Sequence, residues 1–255
     1  MIIDTHSHIY GEQFDEDRKE VVERALANGV EKICLPNIDV DSIQQVKDLT
    51  AAYPDTCFPM MGLHPCSVGE DYQKDLAIIK EELYNGDYIA VGEIGIDLYW
   101  DKTTLPQQVE AFKEQIEWSI DLDLPIVIHC RDSFDEIFEV IAPYKGKITG
   151  IFHCFSGNVE QAKFITDMGL YLGIGGVVTF KNAGLDKVVA QLSLEHLVVE
   201  TDSPYLTPSP YRGKRNESSY TLHVAEKLAS IFELGLDEIA QITSDNARKV
   251  FPTMI

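Results

Sequence analysis

Six residues of the types that bind metal ions stand at or just beyond the ends of short apolar runs. They are His6, His8, Glu93, His129, His153 and Asp202. A single ion needs three or four protein ligands, so four imidazoles and two carboxylates can hold two ions if one carboxylate bridges them. Two ions about 3.5–4 Å apart can stabilise both the attacking and the leaving oxygen of a displacement at phosphorus. The mixed nitrogen and oxygen set therefore predicts two divalent ions per chain, with Mg, Mn or Zn as the candidates.

The four histidines repeat a positional pattern. His6 and His8 are two residues apart, so on a strand both side chains project from the same face. His129 and His153 each end an apolar run, at the same relative position on successive predicted strands. One histidine at the end of a buried strand is more often a packed core residue, and His6 and His8 alone fit a structural role equally well. The repetition favours a shared ligand site.

The two carboxylates stand in different local sequences. Glu93 lies between Gly92 and Gly95, which permit close approach of the backbone to a ligand. Taken alone, it is equally a solvated loop glutamate. Asp202 follows the apolar run 197–199, where a carboxylate is costly unless it is paired or bound to a metal.

Eight apolar runs alternate with amphipathic stretches and must position these residues. The predicted strands are residues 2–3, 32–35, 57–62, 88–92, 125–128, 148–152, 170–173 and 197–199, and the clearest predicted helices are 15–28 and 107–121. This alternation is typical of a parallel α/β protein. Residues 1–255 have the length of one (β/α)8 domain. An open doubly wound sheet would spread the strand-end residues along an edge. A TIM barrel gathers them at the C-terminal mouth of its strands, and we predict the barrel with the metal site there.

Composition narrows the functional classes. A formal net charge of −21 argues against a protein that coats nucleic acid through a broad basic face, but not against an enzyme that grips a phosphodiester through metal ions. No apolar run is long enough for a membrane span, and the N-terminus is predicted to be a strand rather than a signal peptide. Five cysteines without a C-x-x-C pair predict reduced thiols and a cytoplasmic protein.

An ordered set of motifs resembles the TatD family of deoxyribonucleases over nearly the whole chain. They are DTHSH at 4–8, GLHP at 62–65, GEIGID at 92–97, IHCRD at 128–132, HCFSG at 153–157, ETDSPYL at 200–206 and RGKRNE at 212–217. Each motif alone is weakly specific, and their order carries the resemblance. One departure is Ser218, where the family often has proline.

The resemblance implies an amidohydrolase-type TIM barrel and a metal-dependent deoxyribonuclease. The expected reaction is hydrolysis of DNA phosphodiester bonds by metal-activated water, in a 3′–5′ exonuclease that acts on single-stranded ends. By resemblance, one ion is assigned to His6, His8 and Asp202. The other is assigned to His129 and His153, with Glu93 bridging the two. Asp202 is also expected to accept a proton from the attacking water, so Glu93 and Asp202 are the predicted catalytic residues.

Two residues beside the predicted ligands are expected to contact substrate. His64 lies at a strand end without a clear ligand partner, and a contact to a substrate phosphate is favoured over a structural role. Arg131 follows His129 by two residues, and it is equally suited to bind a phosphate or to pair with Asp132.

The irregular segment 203–219 is predicted to be a functional loop. Arg212, Lys214 and Arg215 make it locally basic in an acidic chain, so Arg212 is a predicted nucleic-acid contact. The alternative is a solvated loop with internal ion pairs. Tyr205 is suited to stack on a base, although packing within the protein is equally consistent with its position.

Three functional classes remain open from the sequence. The favoured one is a nuclease whose partner is DNA with single-stranded or frayed ends, without a membrane or a stable protein partner. The second is a hydrolase of a small ester, amide or lactone, or of the ester bond of charged tRNA, on the same barrel. The third class is a metal-binding scaffold that has lost catalysis. It is the least favoured, because loss of function usually erodes the ligands, yet all six candidate ligands are in place.

Overall fold

Eight parallel strands alternate with helices in the computed structural model, which describes residues 1–254. The strands are β1 Ile2–Asp4, β2 Val30–Leu35, β3 Cys57–Pro59, β4 Val91–Asp97, β5 Ile126–Arg131, β6 Gly150–Phe152, β7 Leu170–Ile174 and β8 Leu197–Val199. Each predicted apolar run contains or overlaps one of them. Two predicted bounds were wrong. β3 ends at Pro59 instead of residue 62, and β4 continues past residue 92 to Asp97.

Backbone hydrogen bonds close the strands into a barrel. Strands β1–β3 form one parallel ladder and β4–β8 a second, in sequence order. The ladders meet where Gly92 N donates to Met61 O at 3.0 Å, and at the other seam Thr5 N donates to Val199 O at 3.1 Å. Closure at both seams confirms the predicted (β/α)8 barrel and excludes the open sheet.

Nine α-helices surround the strands in the described residues. They are α1 Arg18–Ala27, α2 Ser42–Ala52, α3 Tyr72–Asn85, α4 Leu105–Asp121, α5 Phe134–Ile141, α6 Val159–Asp167, α7 Leu185–Val189, α8 Thr221–Phe232 and α9 Leu236–Val250. The predicted helices 15–28 and 107–121 are α1 and α4. On α4, Phe112 and Ile116 are fully buried one turn apart, because residues four apart share one face of a helix. No helix of residues 1–254 is both long enough and apolar enough to cross a membrane.

The alternation of side chains along each strand places the residues at the strand ends inside the C-terminal opening of the barrel. Val127 and Ile151 belong to the core inside the barrel, whereas Ile126 and Ile128 belong to the layer between strands and helices. Because side chains alternate with period two, His129 and His153 follow on the inward face of β5 and β6. The core inside the barrel is built from apolar side chains such as Met60 and Val198, and the strand-end polar residues follow at its C-terminal end.

Candidate metal centre at the barrel mouth

The Glu93 carboxylate lies at the centre of four histidines. Its Oε1 is 2.7 Å from Nδ1 of His129 and 3.4 Å from Nε2 of His153. Its Oε2 is 3.1 Å from Nε2 of His6 and 3.5 Å from Nε2 of His8. Each oxygen therefore faces a different set of imidazoles, since Oε1 also lies 3.5 Å from Nε2 of His64, and a carboxylate divided in this way can be shared by two ions.

Asp202 approaches one of these pairs. Its Oδ1 is 3.6 Å from Nε2 of His8 and 3.9 Å from Nε2 of His6. Backbone bonding places it there, since Asp202 N donates to His6 O at 2.9 Å across the β8–β1 seam. All six candidate ligands predicted from the sequence thus lie together.

Neighbouring groups set which ring nitrogen of His8 is free. The Tyr10 hydroxyl donates to the carbonyl oxygen of Pro36 at 2.6 Å and therefore accepts from Nδ1 of His8 at 2.9 Å. That bond keeps the proton on Nδ1 and leaves the Nε2 lone pair directed at Glu93 and Asp202. Burial lowers the pKa of His8 to about 4, so this lone pair is available at neutral pH.

Two carboxylates outside the six predicted ligands orient the other pair, and for one of them, Glu200, its spacing from Asp202 predicts a position at the same mouth, behind the ligands. Oδ2 of Asp97 is 2.9 Å from Nε2 of His129, which holds that proton on Nε2 and leaves Nδ1 for a ligand. Oε1 of Glu200 is 3.0 Å from Nδ1 of His153 and leaves Nε2 toward Glu93. The available signal was their spacing: Asp97 ends the glycine-flanked strand, and Glu200 precedes Asp202 by two residues.

The charges of the cluster fit a divalent cation. Glu93 is buried, and within residues 1–254 neither it nor Asp202 lies within salt-bridge distance of a lysine or arginine. Burial raises the pKa of Asp202 to about 7, although His153 opposes that shift. Burial also disfavours protonated His153, but Glu200 and Glu93 outweigh it and raise its pKa to about 10. Protonated His153 therefore offsets part of this buried negative charge. A bound divalent ion would take over that role and displace the proton, which would leave Nε2 of His153 free to act as a ligand.

Strained backbone also concentrates at this end of the barrel. Asp132, Cys154 and Asp202, which follow β5, β6 and β8, have φ of 54°, 48° and 57°. Left-handed backbone is uncommon for residues other than glycine and is enriched at functional sites. The chain turns sharply after these strands, and the turn after β8 sets the position of Asp202.

His64 joins the cluster as a hydrogen-bond donor. Its Nδ1 accepts from Cys66 N at 3.1 Å, so the neutral ring carries its proton on Nε2. Nε2 is 3.2 Å from Nδ1 of His129 and 3.5 Å from Oε1 of Glu93. A protonated nitrogen is not a metal ligand, so the geometry is that of a donor beside the ligands.

The other three residues predicted to contact substrate are Arg131, Tyr205 and Arg212, and the two arginines pack against aromatic rings of the protein. The Arg131 guanidinium lies 3.7 Å from the ring centre of Tyr99, and it forms no ion pair with Asp132 in the described structure. Tyr205 is half exposed, and its backbone nitrogen donates to the carbonyl oxygen of Asp202. The Arg212 guanidinium packs 3.6 Å from the ring centre of Phe180.

Contacts within the protein engage much of loop 203–219. Arg215 makes a bidentate pair with Asp17 at 2.7 and 2.8 Å, and Tyr211 stacks on Tyr220. The charge of Arg215 is therefore already paired within the protein, which fits a structural role for this residue. Ser218, the departure from the family pattern, forms a hydroxyl hydrogen bond with Ser7.

Known proteins resemble the chain in sequence and in fold. The family model described as TatD related DNase matches residues 3–252. The metal-dependent hydrolase YabD of Bacillus subtilis is 41% identical, with 98% of this chain and 99% of the relative covered. A protein of Pectobacterium parmentieri named 3′-5′ ssDNA/RNA exonuclease TatD is 31% identical, with 98% and 99% covered. The crystal structure of the Escherichia coli TatD homologue YjjV superposes with a TM-score of 0.93 at 29% identity, covering 98% of both chains.

Proposed function

Because this chain belongs to the TatD-related DNase family of metal-dependent hydrolases, we propose that it shortens single-stranded DNA from the 3′ end by hydrolysing phosphodiester bonds. The observation that carries the proposal is the division of the Glu93 carboxylate between two pairs of histidines. A two-ion centre suits displacement at phosphorus, where both the attacking and the leaving oxygen carry charge.

The proposed ligand sets follow the two oxygens of Glu93. His6, His8 and Asp202 would hold one ion, and His129 and His153 would hold the other, with Glu93 available to both. Bound there, divalent ions would supply Lewis-acid polarisation of the phosphoryl group and a lowered pKa for the attacking water. Mg, Mn and Zn all accept such mixed nitrogen and oxygen ligands, with water completing the shell of Mg.

Side chains of the protein are proposed to accept the proton, to bind the phosphate and to orient the metal ligands. Asp202 is the proposed proton acceptor, because its Oδ1 lies 3.6 Å from Nε2 of His8, beside the position of the attacking water, and a general base must be within hydrogen-bond reach of the proton that it accepts. The Nε2–H of His64 is the proposed donor to a nonbridging phosphate oxygen. Asp97 and Glu200 keep the rings of His129 and His153 in the tautomers that ligation needs.

The acidity of the protein favours entry by strand ends. A net charge of −21 repels the continuous phosphate surface of a duplex, so binding must rest on the metal centre and a few local contacts. A single-stranded end brings few phosphates near the protein. The name of the Pectobacterium relative supports the 3′-to-5′ direction and includes RNA beside DNA.

The direct test is a substrate panel assayed with and without a chelator. Single-stranded decamers labelled at the 5′ end should give a ladder of stepwise shortened products, whereas covalently closed duplex circles should resist. A small lactone, a carboxylic ester, an amide and aminoacyl-tRNA complete the panel. Glu93→Ala protein, purified in parallel, controls for contaminating nucleases and should be inactive. Faster turnover of a small ester, lactone or charged tRNA than of the decamer, or internal cutting of circles, would overturn the proposal.

A further inference from the structure

Two adjacent aromatic side chains are largely exposed in the loop that follows β4. Tyr99 is 53% exposed and Trp100 is 70% exposed, and their ring centres lie 4.9 Å apart at 90°. Such exposure of large apolar side chains removes the stabilisation that their burial would provide. Neither residue has a role in the centre described above.

This aromatic loop is anchored directly to the candidate metal centre. Oδ1 of Asp97 accepts from Tyr99 N at 2.9 Å and from Trp100 N at 3.2 Å, while its Oδ2 contacts His129. On the other side, the Gln108 side chain accepts from Asp97 N and donates to Asp97 O. Asp97 therefore fixes the backbone of Tyr99 and Trp100 relative to the candidate metal ligand His129.

An unpaired cation accompanies the two rings. The Arg131 guanidinium lies 3.7 Å from the ring centre of Tyr99 and 5.4 Å from that of Trp100. Arg131 is exposed and makes no salt bridge to a carboxylate among residues 1–254. A free cation at this position is notable in a chain of net charge −21.

We propose that Tyr99, Trp100 and Arg131 form a platform for the nucleotide that precedes the 3′-terminal one in a single strand. Trp100 stacks on the base, Tyr99 orients the Arg131 guanidinium, and Arg131 contacts the phosphate of that nucleotide. This inference rests on the proposed nuclease function and adds a subsite to it. The platform is exposed at the rim rather than buried among the ligands, so it holds a nucleotide beyond the reacting phosphate.

The chemistry of the platform selects single-stranded nucleic acid. Stacking needs a base face that is free of its neighbour, which a single strand offers and an intact duplex withholds. Every base has such a face, so stacking on aromatic side chains tolerates sequence. A small ester or lactone processed among the buried ligands would not reach this rim.

Kinetics on long and short substrates test the platform. The substrates are a dT decamer and bis(p-nitrophenyl) phosphate, which carries a phosphodiester but no second nucleotide. Trp100→Ala should lower the ratio of kcat/KM on the decamer to kcat/KM on the small diester at least about 5-fold, mainly through KM, since one stacked base contributes about that much or more. Trp100→Phe should restore most of the ratio. The matched control is Tyr84→Ala, an exposed aromatic on α3 that is bonded to Asp121, and it should leave the ratio unchanged.

Tryptophan fluorescence provides a readout independent of turnover. Trp100 is exposed and Trp118, the other tryptophan, is buried, so stacking of a base should quench mainly the emission of Trp100. A dT decamer with a hydrolysis-resistant phosphorothioate at its last linkage should quench the parent protein. The same strand with an abasic site at the second nucleotide from the 3′ end should quench much less.

The outcomes separate the platform from the proposed function. If the parent shortens the decamer but Trp100→Ala retains the parental ratio, or if the abasic strand quenches equally, the platform is wrong and the nuclease function stands. If the parent hydrolyses the small diester but never shortens the decamer, the proposed function fails and the platform fails with it.

Discussion

Asp97→Asn tests whether a carboxylate behind His129 sets the chemistry of the metal centre. Oδ2 of Asp97 accepts from Nε2 of His129 at 2.9 Å, and Oδ1 accepts from the backbone nitrogens of Tyr99 and Trp100. Burial alone would raise the pKa of Asp97, but these hydrogen bonds outweigh it and hold the value at about 2. The carboxylate is therefore ionised throughout the neutral range and accepts on both oxygens. An asparagine accepts on only one.

Each of the two orientations of the asparagine amide removes an interaction that the carboxylate makes. If its NH2 group faces His129, the imidazole must transfer its proton to Nδ1, the atom that lies 2.7 Å from Glu93 and is the proposed ligand. If the NH2 group faces the loop, two backbone hydrogen bonds are lost at about 0.5–1.5 kcal/mol each. Loss of such an outer partner typically costs 10–100-fold in metal affinity or activity, or about 1.4–2.8 kcal/mol. We expect a loss of at least about 10-fold in metal affinity or kcat/KM.

Chelator competition gives the metal Kd, and kcat/KM and Tm are measured on the same preparation. The matched control is Asp101→Asn, because Asp101 lies on the same loop and bonds only Thr103 through its side chain. Asp97→Asn should add little in a His129→Ala background, since it acts through that ring. Parental metal Kd and parental kcat/KM in a folded Asp97→Asn protein would refute the reasoning.

Three other substitutions probe different parts of the molecule. Asp202→Asn keeps the shape and one oxygen ligand, so metal content and KM should change little while kcat falls at least about 10²-fold; a metal-loaded variant with near-parental kcat would contradict a role as the base. At Gly173, an added Cβ would lie 2.2 Å from Oε2 of Glu200, so Gly173→Ala should cost about 1–3 kcal/mol of stability and loosen metal binding, as measured by Tm and metal Kd. Hydrogen bonds from Arg215 lower the pKa of Asp17 below 3.8, so their stabilisation is present above that pH and is lost as the pH falls through the folded value. Asp17→Asn should therefore lower Tm at pH 7 by the equivalent of no more than about 1 kcal/mol for this partly exposed pair, and the difference should shrink by pH 3; a constant difference would exclude the ion pair as its cause.

Local sequence was sufficient to place the strands and the candidate ligands. Apolar runs that alternate with segments of helical periodicity predict a parallel α/β arrangement. Because side chains alternate along a strand, Val127 faces the barrel interior and His129, two residues later, lies on the same face. The same parity places His153 after Ile151. These are properties of residues close in the chain, so they did not depend on knowing which strands are neighbours.

The sequence predicted the ends of the strands less well than their positions. The misplaced C-terminal end of β4 affected the candidate metal centre, because Asp97 lies on it. The run 88–92 marks the buried entry to β4, but the strand continues through a glycine-flanked segment to Asp97. Hydrophobicity alone does not report this continuation, because its partners are backbone groups of β5. The extension brings Asp97 beside His129 instead of leaving it in a loop.

Side-chain partners were decided only by the tertiary structure. Arg131 had a carboxylate beside it in the sequence, yet it stacks on Tyr99 from the neighbouring strand end. Arg215 had the residues of a free basic loop around it, yet it pairs with Asp17 almost two hundred residues away in the chain. The sequence determines residue types and the face of each strand on which they lie. Which groups meet across the mouth depends on the register and closure of the barrel, because a hydrogen bond or ion pair forms only where two groups come within about 3–4 Å in space.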